Sequence, residues 1–89
     1  MLIFIEPNCR ACERVMETAE VLRKQNIVAN IVTFNRSADP ESCMKFGVFI
    51  FPTVYINGQL AFYGEFTIED IDRFLNTKNL NKPNLNQLN

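Results

Sequence analysis

The chain opens with a continuous apolar run, Met1-Leu2-Ile3-Phe4-Ile5. A short break follows, Glu6-Pro7-Asn8, and then Cys9-Arg10-Ala11-Cys12 at the head of a segment with helical periodicity. Leu2–Ile5 has the pattern of a strand covered on both faces. Asn8 is placed to cap a helix that begins near Cys9. In that helix Cys12, Val15, Met16, Ala19 and Leu22 recur at helical spacing and form one apolar stripe, while Glu13, Arg14, Glu17, Glu20 and Arg23 fall elsewhere. Helix phase makes the two sulfurs inequivalent: Cys9 faces out at the helix mouth and Cys12 faces the core. A C-x-x-C pair by itself admits a zinc half-site, a structural staple or a reversible dithiol. At the mouth of a helix that follows a buried strand, the helix amides and dipole favour a thiolate, and so a redox couple.

The segments that follow alternate in type. Ile27–Phe34 is rich in β-branched residues and reads as a second strand. Asp39-Pro40 is a helix start, with Asp39 as cap and Pro40 at the first helical position, and that short helix stops near Gly47. Val48–Phe51 leads to Pro52. Thr53–Ile56 reads as a third strand, Asn57-Gly58 as a hairpin turn needing positive φ, and Leu60–Tyr63 as a fourth strand ended by Gly64. Thr67-Ile68-Glu69-Asp70 has capping-box form and opens a third helix, with Ile68, Ile71, Phe74 and Leu75 on one face. The order is βαβαββα. The first β-α-β unit requires parallel strands and the hairpin antiparallel ones, so an α/β fold with one mixed four-stranded sheet and helices on both faces is expected. The domain is assigned to residues 1–77. Residues 78–89 are Asn-rich, polar and broken by Pro83, and read as a C-terminal tail.

Bulk composition narrows the function. The sequence has 89 residues, enough for one core. Its net charge of −1 offers no basic stripe for nucleic acid or an anionic membrane. No apolar run approaches the roughly 20 residues that span a bilayer. Met1–Ile5 has neither the charged flank nor the cleavage site of a signal peptide. Three cysteines do not make a paired secreted framework, so a cytoplasmic protein with a catalytic dithiol is expected. The chain has no histidine, which removes imidazole catalysis and the commonest zinc ligand.

The strand–C-x-x-C–helix start, the segment Gly47-Val48-Phe49-Ile50-Phe51-Pro52-Thr53, the Asn57-Gly58 turn and Gly64 together resemble the thioredoxin superfamily, from about Met1 to Asn76. The size is that of a glutaredoxin, and the Pro52 segment is more similar to thioredoxin. The resemblance implies a thioredoxin-like fold and thiol–disulfide exchange. Cys9 would attack a protein disulfide and Cys12 would resolve the mixed disulfide, with Arg10 stabilising the Cys9 thiolate. It implies that Pro52 is a cis-proline facing the dithiol, and that Phe51, Pro52, Thr53, Tyr63 and Gly64 bind substrate. It implies no bound cofactor beyond the Cys9–Cys12 couple, an external reductant that is either glutathione or a thioredoxin reductase, disulfide-containing protein substrates as partners, and a monomer. Four departures stand out. The intervening dipeptide is Arg10-Ala11. Ile3 lies where thioredoxins carry a buried acid. Glu6 stands where glutaredoxins place a basic residue, and their late Gly-Gly-x-Asp step is reduced to Gly64-Glu65-Phe66; both disfavour glutathione. A closer likeness is to the small glutaredoxin-like donors that serve ribonucleotide reductase.

Other readings remain beside this one. Zinc would need two more ligands than the C-x-x-C pair supplies, with Cys43 as a third candidate, or a dimer sharing two pairs. An iron–sulfur cluster bridged between two chains would need glutathione. Cys43 itself is read as a small buried hydrophobe, with a regulatory thiol as the alternative. Of the aromatic residues Phe46, Phe49, Phe51, Tyr55, Phe62, Tyr63 and Phe66, most are expected in the core; Phe51, Tyr63 and Phe66 are the candidates for an exposed docking patch. Glu65 reads as a solvated charge. A non-catalytic binding module whose dithiol serves as a redox switch is the reading from another class.

Overall fold

The computed structural model describes residues 1–81, with side chains as far as Thr77. The element order is β1 (Leu2–Ile5), α1 (Arg10–Lys24), β2 (Val32–Asn35), α2 (Pro40–Phe46), β3 (Thr53–Ile56), β4 (Gln59–Tyr63) and α3 (Ile68–Asn81). The sheet order is β2-β1-β3-β4. β1 and β2 run parallel, and β1–β3 and β3–β4 run antiparallel. This is the expected mixed four-stranded α/β sheet.

Adjacent residues of β1 point to opposite faces, and the core divides accordingly. Ile3 packs with Val15, Ala19 and Leu22 of α1, Val54 and Ile56 of β3, Phe66, and Ile71 of α3. Phe4 packs on the other face with Cys43 of α2 and Val48. Its ring lies 4.8 Å from Phe34, 5.2 Å from Phe46 and 5.8 Å from Tyr55. Helices therefore cover both faces, α1 and α3 on one and the short α2 on the other.

The helix ends follow local chemistry. Asp39 caps α2 by accepting from the Ser42 amide at 3.1 Å and the Ser42 hydroxyl at 2.6 Å. Thr67 and Asp70 cap α3 reciprocally, the Asp70 carboxylate accepting from the Thr67 amide at 2.8 Å and the Thr67 hydroxyl from the Asp70 amide at 3.1 Å. Gly47, at φ +70°, ends α2: its amide donates to the Met44 carbonyl at 3.0 Å and the Val48 amide to the Cys43 carbonyl at 2.8 Å. This left-handed termination also brings the side chains of Val48 and Cys43 into one cluster.

Three boundaries differ from the sequence reading. β2 starts at Val32 rather than Ile27, because α1 ends with Asn26 in the left-handed region at φ 59° and the Ile27 amide returns to the Leu22 carbonyl at 2.9 Å. Residues 27–31 are then spent returning the chain to Leu2, the first partner β1 offers Val32. The cap of α1 is Cys9, not Asn8; Asn8 takes a left-handed turn at φ 56° and Cys9 is extended. α3 continues through Asn81, so the expected boundary at Lys78 falls within a helix. The rest of the expected tail, 82–89, lies outside the described residues.

Candidate active site

Strand direction gathers the site at one end of the sheet. β1 and β2 leave that end, β3 enters from it, and β4 returns to it. It therefore carries the Glu6–Cys9 loop, Arg36, the Phe51–Pro52 step and Gly64-Glu65. Cys9 and Cys12 form a disulfide there with a Cα–Cα separation of 5.2 Å. Cys9 is half-buried, while Cys12 is buried at 3% exposure. The outward–inward asymmetry expected from helix phase is present.

Cys9 has its place for a physical reason. Its backbone is extended at φ −122°, and its Sγ accepts from the Cys12 amide at 3.0 Å. The sulfur thus occupies the position of an N-cap oxygen and satisfies one of the unpaired amides of the first helical turn. The same amide and the positive end of the helix dipole favour negative charge on this sulfur when the pair is reduced. Arg10 is exposed, beside Cys9 in sequence, and in no ion pair among the described residues. Ile3 is fully buried against α1, and Thr53 is the sole buried polar side chain among the described residues. Among the described residues, then, no acidic side chain is buried that could serve Cys12 as a base.

The segment before β3 lies at the same end of the sheet as the Cys9 loop, Thr53 pairing with Phe4. The Phe51–Pro52 bond is cis, as the resemblance implied. The Gly64 amide donates to the Pro52 carbonyl at 2.8 Å, tying the end of β4 to this step. Among the described residues neither the amide nor the carbonyl of Phe51 enters a backbone hydrogen bond outside the strand ladders. Tyr63, paired with Thr53 across the hairpin, is 59% exposed. Two sequence expectations need correction here. Thr53 is 1% exposed and its hydroxyl donates to the Ile50 carbonyl, so its side chain braces the loop and presents nothing to a substrate. Phe66 is 5% exposed and stacks on Phe62 at 5.0 Å, so it belongs to the core rather than to a docking patch. Conversely, Phe49, one of the aromatics mostly expected in the core, is 79% exposed, and its neighbour Ile50 is 54% exposed, both close to Pro52 in sequence.

Two ion pairs flank the site. Arg14 on α1 holds Glu65 at 2.6 Å, so Glu65 is exposed but paired. Arg36, after β2, reaches Glu6 at 3.3 Å, and its guanidinium carbon lies 5.9 Å from the centroid of the Phe51 ring. Neither pair was legible in the sequence, because each joins residues far apart in the chain. Cys43 is buried at 3% exposure, and burial pushes its thiol above the ordinary value, with the Asp39 charge adding to the effect and Arg36 opposing it. The described residues contain no group of three or more histidine, cysteine or acidic side chains able to hold a metal. No helix among them is long and apolar enough to cross a membrane.

Residues 1–76 match the family model described as "Thioredoxin domain". The chain is also 33% identical over 63 residues to the thioredoxin of Methanocaldococcus jannaschii, an alignment covering 71% of this chain and 72% of that protein. The chain belongs to the thioredoxin family. Among solved structures, it is similar to thioredoxin 1 from Thermosipho africanus TCF52B, with a TM-score of 0.64 and 20% identity over 88% of this chain and 96% of that one. That likeness bears on the fold. Family membership and the Cys9–Cys12 pair together make the protein a thiol–disulfide oxidoreductase with a C-x-x-C motif. Thioredoxin-family proteins act on protein disulfides and are recycled by a reductase. This chain carries Arg10-Ala11 between its cysteines and an ion pair, Glu6–Arg36, that starts from the loop leading to Cys9.

Proposed function

We propose that this protein reduces disulfide bonds of cytoplasmic protein substrates and is itself recycled by a thioredoxin-reductase-type enzyme. The carrying observation is the Cys9 sulfur at the first turn of α1, half-buried and bonded to the Cys12 amide at 3.0 Å, while Cys12 lies buried beneath it. In the reduced protein the Cys9 thiolate attacks one sulfur of the substrate disulfide. A Cys9–substrate bond forms, and the other substrate sulfur leaves as thiolate and takes up a proton. Cys12 then loses its proton and attacks Cys9 Sγ. The Cys9–Cys12 disulfide forms and the second substrate thiol is released, so two electrons and two protons have passed to the substrate. Arg10 supports the thiolate as an exposed neighbouring cation, an effect that salt screens over about 10 Å. Phe51 supplies a free backbone edge for an extended substrate segment, with Tyr63 and Gly64 beside it, while the Pro52 side chain, expected from the resemblance to bind substrate, is fully buried like that of Thr53 and supports this edge from behind. Glu6 argues against glutathione as reductant, since its carboxylate stands where a cation would be needed to hold a glutathione carboxylate.

The test combines variants with a choice of reductant. Cys9→Ser is expected to lose reduction of a protein disulfide such as insulin, and Cys12→Ser to accumulate mixed disulfides visible by mass. The oxidised wild type is expected to be reduced by NADPH with thioredoxin reductase faster than by glutathione. Undiminished insulin reduction by Cys9→Ser would remove the assigned roles, and faster recycling by glutathione would replace the reductant.

A further inference from the structure

We infer that Arg36 is a specificity residue of this reductase, contacting the substrate segment beside Phe51 and favouring disulfides flanked by an acidic side chain. The inference rests on the proposed course of the substrate along Phe51. Arg36 is anchored by its own backbone, whose amide donates to the Ile5 carbonyl at 2.9 Å one step beyond the β1–β2 register. From there its side chain reaches both loops of the site at once. It meets Glu6, in the loop leading to Cys9, at 3.3 Å, and it lies 5.9 Å from the Phe51 ring centroid, next to Pro52.

A guanidinium has five N–H donors. Among the described residues one of them is engaged, and at 3.3 Å that bond is longer than an ordinary charged hydrogen bond. The side chain is 62% exposed. On the other flank Arg14 is held by Glu65 at 2.6 Å, so that charge is matched. Arg36 and Arg10 are therefore the loosely held cations of the rim, in a protein whose net charge is −1. They differ in reach. Arg10 adjoins Cys9 and acts on every disulfide attacked, whereas Arg36 adjoins Phe51 and acts only on substrates long enough to lie there.

The experiment measures second-order rates of reduced protein with three short peptides. Each carries one disulfide, flanked by Asp, Asn or Lys, and hydroxyethyl disulfide serves as a small neutral control. At about 20 mM salt the Asp peptide is expected to react about two- to fivefold faster than the Asn peptide and the Lys peptide slower, the range an exposed ion pair supports. At about 0.5 M salt the preference should collapse. Arg36→Gln should abolish it and leave the hydroxyethyl disulfide rate unchanged. Glu6→Gln, which frees the guanidinium, should enlarge it, and this variant decides the matter if Arg36→Gln fails to fold. Arg10→Gln should slow all disulfides while keeping the ratio. Equal peptide rates in the wild type, or a preference that survives Arg36→Gln, would overturn the inference. A wild type that reduces hydroxyethyl disulfide but none of the peptides would overturn the substrate reading beneath it.

Discussion

At the scale of single residues, the three cysteines are sorted by environment rather than by type. Cys9 sits at a helix mouth with an amide on its sulfur, and Cys12 and Cys43 are each 3% exposed. Burial pushes the Cys43 thiol up, so at neutral pH its thiolate fraction is below that of a free cysteine. In the reduced protein near about pH 7, iodoacetamide should label Cys9 first and leave Cys43 unmodified until denaturant is added. Peptide mapping by mass spectrometry checks this, and rapid native labelling of Cys43 would restore the regulatory-thiol reading. Ile3 makes a second residue-scale point. It is fully buried against α1, and among the described residues no acidic side chain is buried that could accept the Cys12 proton. Cys12→Ser and wild type should therefore differ in turnover but not in the pH dependence of the first attack, which Cys9 alone governs; single-turnover rates across pH read this directly.

At the scale of elements, the helix ends carry both stability and pH response. The carboxyls of Asp39 and Asp70 are held below the usual range, Asp39 by the Ser42 hydroxyl and amide, and Asp70 first by the Thr67 amide. Their folded values lie below the unfolded one, so the stability they contribute is fully present above about pH 4 and is lost as pH falls through the folded values. Urea midpoints should be flat from neutral pH down to that point and fall below it, and Asp39→Asn should flatten part of the fall. Gly47 is a different kind of terminator. A Cβ there would meet nothing within 4 Å, so the cost of Gly47→Ala is the left-handed φ of +70° alone. It is expected to be about 1 kcal/mol by urea denaturation, without a change in m-value. These devices were legible beforehand because capping and left-handed termination are local: Asp39-Pro40, Thr67 with Asp70, and Gly47 each declare themselves within a turn of chain. The start of β2 was not, because β-branched residues at 27–32 fit an extended segment whether or not a partner strand lies beside them.

At the scale of the whole molecule, the sheet separates two packing problems. The face bearing Ile3 is covered by two helices, and the face bearing Phe4 by the short α2 alone. Phe4 is fully buried at the centre of Phe34, Phe46 and Tyr55. Phe4→Ala should cost about 3–5 kcal/mol in urea denaturation. Because Val48 and Phe51 pack on the same cluster, it should also slow insulin reduction more than reduction of a small disulfide. Equal slowing of both would show that the Phe51 edge does not depend on this cluster.

Local physics was enough to determine a good deal from the sequence alone. The helical period placed Cys9 outward and Cys12 inward, the capping residues bounded α2 and started α3, Asn57-Gly58 set the hairpin, and the element order required a mixed sheet. Only the tertiary structure decided which aromatics were needed inside. Phe66 lies against Phe62 while Phe49 is exposed, although both are phenylalanines close to a glycine in sequence. It also decided the electrostatics of the rim, joining Arg14 to Glu65 across 51 positions and Arg36 to Glu6 across 30. The physical reason is range. Capping and periodicity act over a few residues, whereas burial and ion pairing depend on which strands become neighbours, and that is settled by the packing of the chain as a whole.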